Sequence, residues 1–238
     1  LTTSLIPAFG VPLSLATATF ANYAYVLFEH AASKRAFVNS FLMSGAAAIL
    51  IVVICVPLAY FIVWKKSRLL RLLNVAAELP YAMPGVVLAI AAILLFLKPL
   101  PLLGFSLYNT IWIIVFAYLA RFLVLGLRPI ISGYLQLDRT LEEAAQIAGA
   151  GLVRRLVTII FPLVAPAAVA GALLIFLTAF NELTVSALLW SSGAETLGVV
   201  VFSFEQGGDS TYASALAAVT VLVTIGLMAS TTLFAQKL

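Results

Sequence analysis

Residues 138–162 read DRTLEEAAQIAGAGLVRRLVTIIFP, the longest charge-bearing stretch in a chain of 238 residues that is otherwise mostly apolar. Hydrophobic residues make up 64% of the sequence and charged residues 9%, whereas soluble proteins carry about 25% charged residues. A soluble domain of this size would need many more polar side chains to cover its surface. The composition therefore predicts an all-α, polytopic membrane protein in which residues 138–162 face water.

Apolar runs long enough to cross a membrane flank this stretch on both sides. The clearest covers residues 41–64, which as a helix would be roughly 36 Å long, against a hydrocarbon core of about 30 Å. Pro57 lies within it, and we expect a kink rather than a break, because neighbouring helices can satisfy the freed carbonyl. Residues 1–29 are too broken for a confident span, and residues 1–40 are predicted to form an extracytoplasmic, interfacial lead-in. Four further spans are predicted at about 79–97, which opens with a kink region at 80–85, and at 108–127, 162–190 and 212–235.

The distribution of Lys and Arg predicts the orientation of these five spans. Of the thirteen cations, nine fall in segments that the topology assigns to the cytoplasm and three in outer segments. Because cytoplasmic loops carry an excess of Lys and Arg, the N-terminus is predicted outside and the C-terminus in the cytoplasm, together with residues 138–162. The nine are Lys65, Lys66, Arg68, Arg71, Arg128, Arg139, Arg154, Arg155 and Lys237, and the three are Lys34, Arg35 and Lys98. Cations scattered in this way form no groove for nucleic acid.

Residues 138–162 themselves predict two short helices joined at a glycine corner. Thr140 and Glu143 have the spacing of a capping box, and Gly149 and Gly151 suit a C-cap and a turn before a second short helix at 152–161. In the first helix, Leu141, Ala144, Ala145 and Ala148 share an apolar face, from which Glu142, Glu143 and Gln146 are excluded. Small residues permit close approach of another protein. The segment is thus either a docking surface or an ordinary connecting loop in which Glu143 only caps its helix.

The same residues resemble a known motif. Glu143-Ala144-Ala145, Gly149, Ile159 and Pro162 are spaced as in the E-A-A-x-x-x-G-x(9)-I-x-L-P signature of permease subunits of ABC importers, with Phe161 in place of the usual leucine. The resemblance implies that 1–238 is a single permease domain of the type I importer fold. It implies a five-helix core at 41–235 and a coupling loop at about 129–161 whose first helix fits a cleft on an ATPase subunit.

In that resemblance, each matching residue has an implied role. Glu143, Ala144, Ala145 and Gly149 would be the contact and corner residues of the coupling helix. Ile159 and Pro162 would set the return of the chain into the membrane.

Three other segments resemble the ferric-iron permeases more narrowly: residues 21–28, residues 79–85, and Glu182-Leu183-Thr184. Members of that group often carry two modules in one chain. This chain begins with Leu1 rather than Met and is similar to the second module without its first helix, so we expect it to continue upstream. The same segments also resemble permeases for phosphonate, thiamine or polyamine.

The resemblance also implies partners and a location. These are ATP-binding-cassette ATPase subunits, a periplasmic or extracellular substrate-binding protein, and a second permease module, identical or fused, in the lipid of a bacterial plasma (inner) membrane. The sequence contains no G-x-x-x-x-G-K-[ST] loop to hold ATP phosphates. The chain is therefore predicted to be no enzyme and to bind no cofactor, with ATP and Mg held by the partner ATPase, whose closure would rock the spans between outward-open and inward-open states.

Charges inside apolar runs are costly and each has two interpretations. Glu182, about two-thirds along the fourth predicted span, either lines the substrate pathway or pairs with a neighbouring helix. Arg121 either contacts substrate or reaches for the inner surface. Glu78 is predicted to pair with the adjacent basic cluster. Lone His30 suits an interface residue better than a metal ligand, and no metal site is predicted.

Two other classes of membrane protein are alternatives to an ATP-powered permease. A membrane enzyme would need a nucleophile with its base, or a metal constellation, within the spans, and one His and one Cys argue against it. A secondary transporter driven by an ion gradient fits the hydropathy, with Glu182 or Arg121 as proton relays. Transport that survives ATP depletion while the gradient is held would identify that alternative.

Overall fold

Four long apolar helices and one bent helix pair build the structure, a computed structural model that describes residues 1–65, 67–99 and 104–235, with side chains to residue 230. The elements are α1 (Ala31–Lys65), the bent pair α2 (Arg68–Ala82) and α3 (Gly85–Phe96), α4 (Ile111–Leu135), α5 (Thr140–Ile147), α6 (Leu152–Phe180), α7 (Ser186–Leu189), α8 (Leu197–Gln206) and α9 (Ser210–Ala235). Every regular element in the described residues is helical, which confirms the predicted all-α membrane fold. Lys66 and Lys237, used above for orientation, lie outside the described residues.

Three of the predicted boundaries are wrong. At the first two, helices extend beyond the apolar runs that hydropathy detects, and at the third the helix ends before its apolar run does. The lead-in ends at His30 rather than residue 40, since α1 begins at Ala31, where the His30 ring accepts a hydrogen bond from the Ser33 backbone N–H at 3.2 Å. The segment predicted as a coupling loop at about 129–161 lies between long helices only over residues 136–151, since α4 continues to Leu135 and α6 begins at Leu152. The helix of the fourth span ends at Phe180, not at 190.

The predicted second span is not one straight helix. Helices α2 and α3 meet at an angle of 110°, with Met83 and Pro84 between them. Proline lacks a backbone N–H and restrains the residue before it to extended conformations, so a helix ends here, within the predicted kink region. Glu78 in α2 forms an ion pair with Arg128 of α4 rather than with the basic cluster next to it.

The core lies where α1, α4 and α6 cross. A Cβ atom added to Gly171 of α6 would lie 3.2 Å from the Cα of Gly126 in α4. A Cβ added to Gly126 would lie 2.7 Å from Cγ2 of Ile51 in α1 and 3.0 Å from Cδ1 of Ile175 in α6. Membrane helices pack by such backbone contacts at small residues. The crossing point of the three helices therefore depends on glycine.

Proline inside α1 is accommodated without a break. The helix is continuous through Pro57, as expected, and changes to the wider π geometry at Phe61–Lys65. The hydroxyl of Tyr134 in α4 donates a hydrogen bond of 2.9 Å to the carbonyl of Val56, the residue before the proline. Backbone groups near a membrane proline are thus satisfied from a neighbouring helix.

At the opposite end from the coupling loop, α1 is tied to the segment before α8. Arg35 and Glu195 form an ion pair of 3.3 Å, and the Asn39 amide donates to the backbone carbonyl of Gly193 at 2.9 Å. The Leu197 N–H donates to the Ser40 hydroxyl at 2.9 Å. These two predicted outer segments therefore lie at one end of the bundle.

Candidate functional site

The start of α5 differs from the predicted capping box. The cap residue is Arg139 rather than Thr140, and its side chain makes no capping hydrogen bond. Instead, a carboxylate oxygen of Asp138 accepts a hydrogen bond of 2.9 Å from the Thr140 backbone N–H. Hydrogen bonds from the backbone and side chain of Thr140 hold the pKa of the exposed Asp138 carboxyl below its usual value. Asp138, which the sequence interpretation passed over, therefore begins the helix as a charged residue at its positive end.

The glycine corner at the end of α5 is confirmed. Gly149 has a φ of +80°, the left-handed region that side chains disfavour. The Ala150 N–H donates to the Ala145 carbonyl and the Gly149 N–H to the Gln146 carbonyl, each at 3.0 Å. This is the hydrogen-bonded helix end that glycine stabilises. A Cβ at Gly149 would meet no atom within 4 Å, so backbone conformation rather than space requires glycine here.

The predicted contact residues of α5 lie on open surface. Ala144 is exposed, Ala145 is half-buried, and the larger apolar residues Leu141 and Ile147 are 49% and 89% exposed. Glu143 forms an ion pair of 3.1 Å with Arg139, in which both side chains are more than half exposed. Water-facing apolar side chains in a row on a short helix are typical of an interaction surface.

Glu142, predicted to face water together with Glu143, is instead buried. It accepts a hydrogen bond of 2.9 Å from the Tyr60 hydroxyl of α1 and pairs with Arg155 of α6 at 3.3 Å. The sequence has two adjacent glutamates, 142 and 143, and two adjacent arginines, 154 and 155. It does not indicate which member of each pair is buried. Tyr60, near the end of the first span, had no local signal at all.

Ile159 and Pro162 lie apart from this surface. Both are within α6, which runs unbroken from Leu152 instead of starting at Pro162 after a separate short helix. Residues Leu156–Ile160 have π geometry, a wider turn just before the proline. These two residues therefore shape the helix that re-enters the membrane, and the structure does not bring them together with the exposed face of α5.

A second candidate site lies at the bend between α2 and α3. Arg121 of α4 donates a hydrogen bond of 3.2 Å to the carbonyl of Met83, in the break of the bent pair. A Cβ at Gly85 would lie 1.9 Å from the Thr184 hydroxyl oxygen, so the start of α3 contacts the turn after α6 without a side chain between them. The Thr184 hydroxyl in turn donates to the Glu182 carboxylate at 2.6 Å. Arg121 is thus held at the bend instead of reaching for the inner surface.

Glu182 lies in a turn rather than two-thirds along a helix. Its carboxylate is buried and accepts hydrogen bonds from the backbone N–H groups of Val185 at 2.9 Å and Ser186 at 3.2 Å, which start α7. The carboxylate thus satisfies free N–H groups at the start of α7, as a helix-capping side chain does. Glu182 and Arg121 flank the same bend, but no ion pair joins them in the part of the chain that the structure describes.

The surroundings of the bend hold one further polar group. Tyr118 of α4, three residues before Arg121, is 1% exposed. Over those residues no group of three His, Cys, Asp or Glu side chains is placed to hold a metal ion. His30 lies elsewhere, at the start of α1, where it also contacts the Ser33 hydroxyl at 2.8 Å.

Comparison with known proteins identifies one family. The sequence profile described as "Binding-protein-dependent transport system inner membrane component" matches residues 51–238. A "Probable ABC transporter permease protein y4fN" of Sinorhizobium fredii is 31% identical over 92% of this chain and 38% of its own length. "Fe(3+)-transport system permease protein FbpB 2" of Haemophilus influenzae is 30% identical over 76% of this chain and 34% of its own length. The chain thus spans little more than a third of these relatives.

A relative of similar length is named for a different substrate. "Trehalose/maltose transport system permease protein MalG" of Thermococcus litoralis is 33% identical over 94% of this chain and 80% of its own length.

Among solved structures, a bacterial ABC transporter involved in the import of the acidic polysaccharide alginate superposes with a TM-score of 0.72 at 14% identity, over 100% of this chain and 87% of that chain. The alginate transporter in complex with a pentasaccharide-bound periplasmic protein gives 0.64 at 17% identity, over 85% and 78%. At these identities the likeness shows the fold.

Proposed function

The chain belongs to the family of binding-protein-dependent transport system inner membrane components, and on that premise we propose that it forms the substrate pathway of an ATP-driven importer and receives its energy through α5. The observation that carries this proposal is the exposed surface of α5, where Leu141, Ala144 and Ile147 face water beside the Gly149 corner. An apolar surface of this kind on a membrane bundle needs a protein partner.

The proposed partners follow from what the chain itself lacks. With no phosphate-binding loop in its sequence, it would depend on ATP-binding-cassette subunits that hold ATP and Mg and dock on α5. A periplasmic or extracellular substrate-binding protein would deliver substrate at the other end, near the Arg35–Glu195 pair. A second permease module, identical or fused, would complete the pathway. In this arrangement α5 and the C-terminus are cytoplasmic and the N-terminus of the segment is outside.

We propose the bend between α2 and α3 as the pathway site of this chain. Both residues would line the path: Arg121 would hold the bend through the Met83 carbonyl, and Glu182 would hold Thr184 and the start of α7 against Gly85. A broken helix exposes backbone carbonyls at membrane depth, and such groups are tolerated where they line a polar path. The site thus combines a cation, a carboxylate and free backbone groups.

Ferric iron is the proposed substrate. Support comes from the likeness of residues 21–28, 79–85 and 182–184 to ferric-iron permeases and from the relative FbpB 2. The MalG relative is named for two sugars instead, and another relative, of Escherichia coli, is named for putrescine. Uptake measurements must therefore offer all three classes of substrate.

The test is ATP-dependent uptake in proteoliposomes that hold the full permease chain, its ATPase and its substrate-binding protein. Gly149→Asp is compared with Gly151→Asp, which adds the same charge to the same loop. Gly149 needs a positive φ, whereas Gly151 has a φ of −65° and begins a helix, where Asp is favoured. We expect iron uptake to require ATP, to collapse in Gly149→Asp and to persist in Gly151→Asp.

Each component of the proposal fails separately. Uptake that continues after ATP depletion would identify a gradient-driven transporter. Normal uptake in Gly149→Asp would show that α5 does not carry the coupling. ATPase stimulation by the substrate-binding protein without iron transport would still support an ATP-driven importer. The substrate would then be sought among sugars, polyamines, phosphonate and thiamine.

A further inference from the structure

The buried contact between α5 and the membrane helices has no role in the function proposed so far. Glu142 of α5 meets Tyr60 of α1 through a hydrogen bond of 2.9 Å and Arg155 of α6 through an ion pair of 3.3 Å. The three residues are 6%, 3% and 7% exposed, respectively. One carboxylate therefore joins the coupling helix to two membrane-spanning helices at once.

Burial makes this contact stiffer than the other ion pair of α5. Charges out of water interact more strongly and resist separation, because breaking the pair leaves a buried charge without compensation. The Arg139–Glu143 pair on the open face is more than half exposed at both side chains, and such pairs are weak. Of the two neighbouring glutamates, Glu142 fastens α5 to the bundle and Glu143 stays available to a partner.

Tyr60 carries the contact on into the bundle. Its ring packs edge-on against Trp64 at 5.1 Å, and Trp64 packs in the same way against Tyr134 of α4 at 5.3 Å. The Tyr134 hydroxyl then bonds back to the Val56 carbonyl of α1. Packed aromatic rings with fixed hydrogen bonds deform little. A displacement at Glu142 therefore reaches the end of α1 through the Tyr60 hydroxyl, whereas the Tyr134 hydroxyl ties α4 to α1 without bonding to α5.

The contact also has one unused donor. Arg155 Nε is buried and has no hydrogen-bond partner among the described residues. An unsatisfied buried donor raises the energy of the arrangement that contains it. The contact is therefore retained although one donor of Arg155 has no acceptor among those residues.

We propose that Glu142, Arg155 and Tyr60 form a strut that passes displacement of α5 to the cytoplasmic end of α1, with Tyr60 as a positioning residue for coupling. The inference rests on the proposed function, since it takes α5 as the element that an ATPase moves. Without the Tyr60 hydroxyl, α5 stays paired with Arg155 but loses its hydrogen bond to α1. ATP hydrolysis then continues while transport falls.

The test compares Tyr60→Phe with Tyr134→Phe in the assembled transporter. Both variants remove one buried hydroxyl that bonds between helices, but only Tyr60 bonds to α5. We expect Tyr60→Phe to lower iron transported per ATP hydrolysed about five- to tenfold, in the usual range of coupling between sites. Tyr134→Phe should leave that ratio unchanged. An unchanged ratio in Tyr60→Phe, or an equal loss in Tyr134→Phe, overturns the strut.

A second measurement needs no substrate and separates the strut from the function. Spin labels at Lys65→Cys and Gln146→Cys, both exposed and outside the apolar face of α5, report the distance between α1 and α5 in a Cys55→Ala background. In the assembled transporter we expect one narrow distance with and without trapped ATP, and a broadened distance in Tyr60→Phe. A parent distance that changes with nucleotide overturns the strut. A constant distance in a parent without ATP-dependent uptake supports the strut and overturns the proposed function.

Discussion

Replacing Gly126 by alanine tests the idea that the crossing of α1, α4 and α6 depends on glycine. The new Cβ would lie 2.7 Å from Ile51 Cγ2 and 3.0 Å from Ile175 Cδ1. Carbon atoms prefer separations of about 3.5 Å or more, so the two side chains must withdraw by about 0.8 and 0.5 Å. They belong to different helices, α1 and α6, and both must yield. Overpacking of this kind costs about 1–3 kcal/mol in free energy of unfolding.

Gly45→Ala is the matched control, because a Cβ there meets no atom within 4 Å. Both positions are inside helices, so alanine gains the same helix propensity of about 0.5–1 kcal/mol at each. That gain cancels in the comparison. The two variants should therefore differ by the overpacking cost alone, about 1–3 kcal/mol.

The single cysteine supplies the assay. Cys55 is fully buried in the core, so a thiol-reactive dye reports unfolding of the purified chain in detergent micelles. For a chain of this size, each kcal/mol shifts the melting temperature by about 2–4 °C. We expect Gly126→Ala to melt below the parent and Gly45→Ala at or above it. A Gly126→Ala variant that melts with or above Gly45→Ala would refute the glycine-dependent crossing.

Three further predictions concern the charges and the orientation. Glu182→Ala leaves the N–H groups of Val185 and Ser186 without an acceptor and should lower the free energy of unfolding by about 1–3 kcal/mol. In the thiol-dye assay we expect a smaller loss in Glu182→Gln. Equal melting temperatures of the parent and both variants would contradict the capping role. Burial raises the pKa of Glu195, but hydrogen bonds from Arg35 and the Gly193 N–H outweigh it, so the net pKa is lowered. The parent should therefore be more stable than Glu195→Gln at pH 7, and this difference should vanish as the pH falls below the ordinary pKa of a glutamate. The difference in free energy of unfolding should stay under about 1 kcal/mol because Arg35 is half-exposed. A difference that grows on acidification would have the wrong sign. Finally, a membrane-impermeant maleimide should label Ile147→Cys only in permeabilised cells and Asp209→Cys in intact cells, and the reverse pattern would invert the proposed orientation.

The sequence was sufficient for features that depend on local chemistry. Hydropathy placed the spans because the bilayer sorts apolar runs by length. Gly149 could be predicted as a corner because few other residues adopt a positive φ. Pro84 and Gly85 marked the kink region because proline lacks a backbone N–H and glycine is conformationally free.

Features set by distant partners could not be predicted. Rotation of α5 by one residue decides whether Glu142 or Glu143 is buried, and that rotation is set by Tyr60, 82 positions earlier in the chain. The bend angle of 110° depends on Arg121, which bonds to a carbonyl 38 positions before it. Glu182 was misplaced because hydropathy continues past Phe180, where the helix ends, and the carboxylate instead caps the start of α7.

The bent pair also bears on how the protein is made. Helix α3 has 12 residues, about 18 Å of helix, which is too short to cross the bilayer alone. Arg121, which bonds to the carbonyl of Met83 at the bend, follows α3 in the chain and enters the membrane only with α4. The pair therefore reaches its final depth only after α4 has entered the membrane. Reporter proteins fused between α3 and α4, a common way of mapping membrane topology, would assign this segment a position that it does not have in the finished protein.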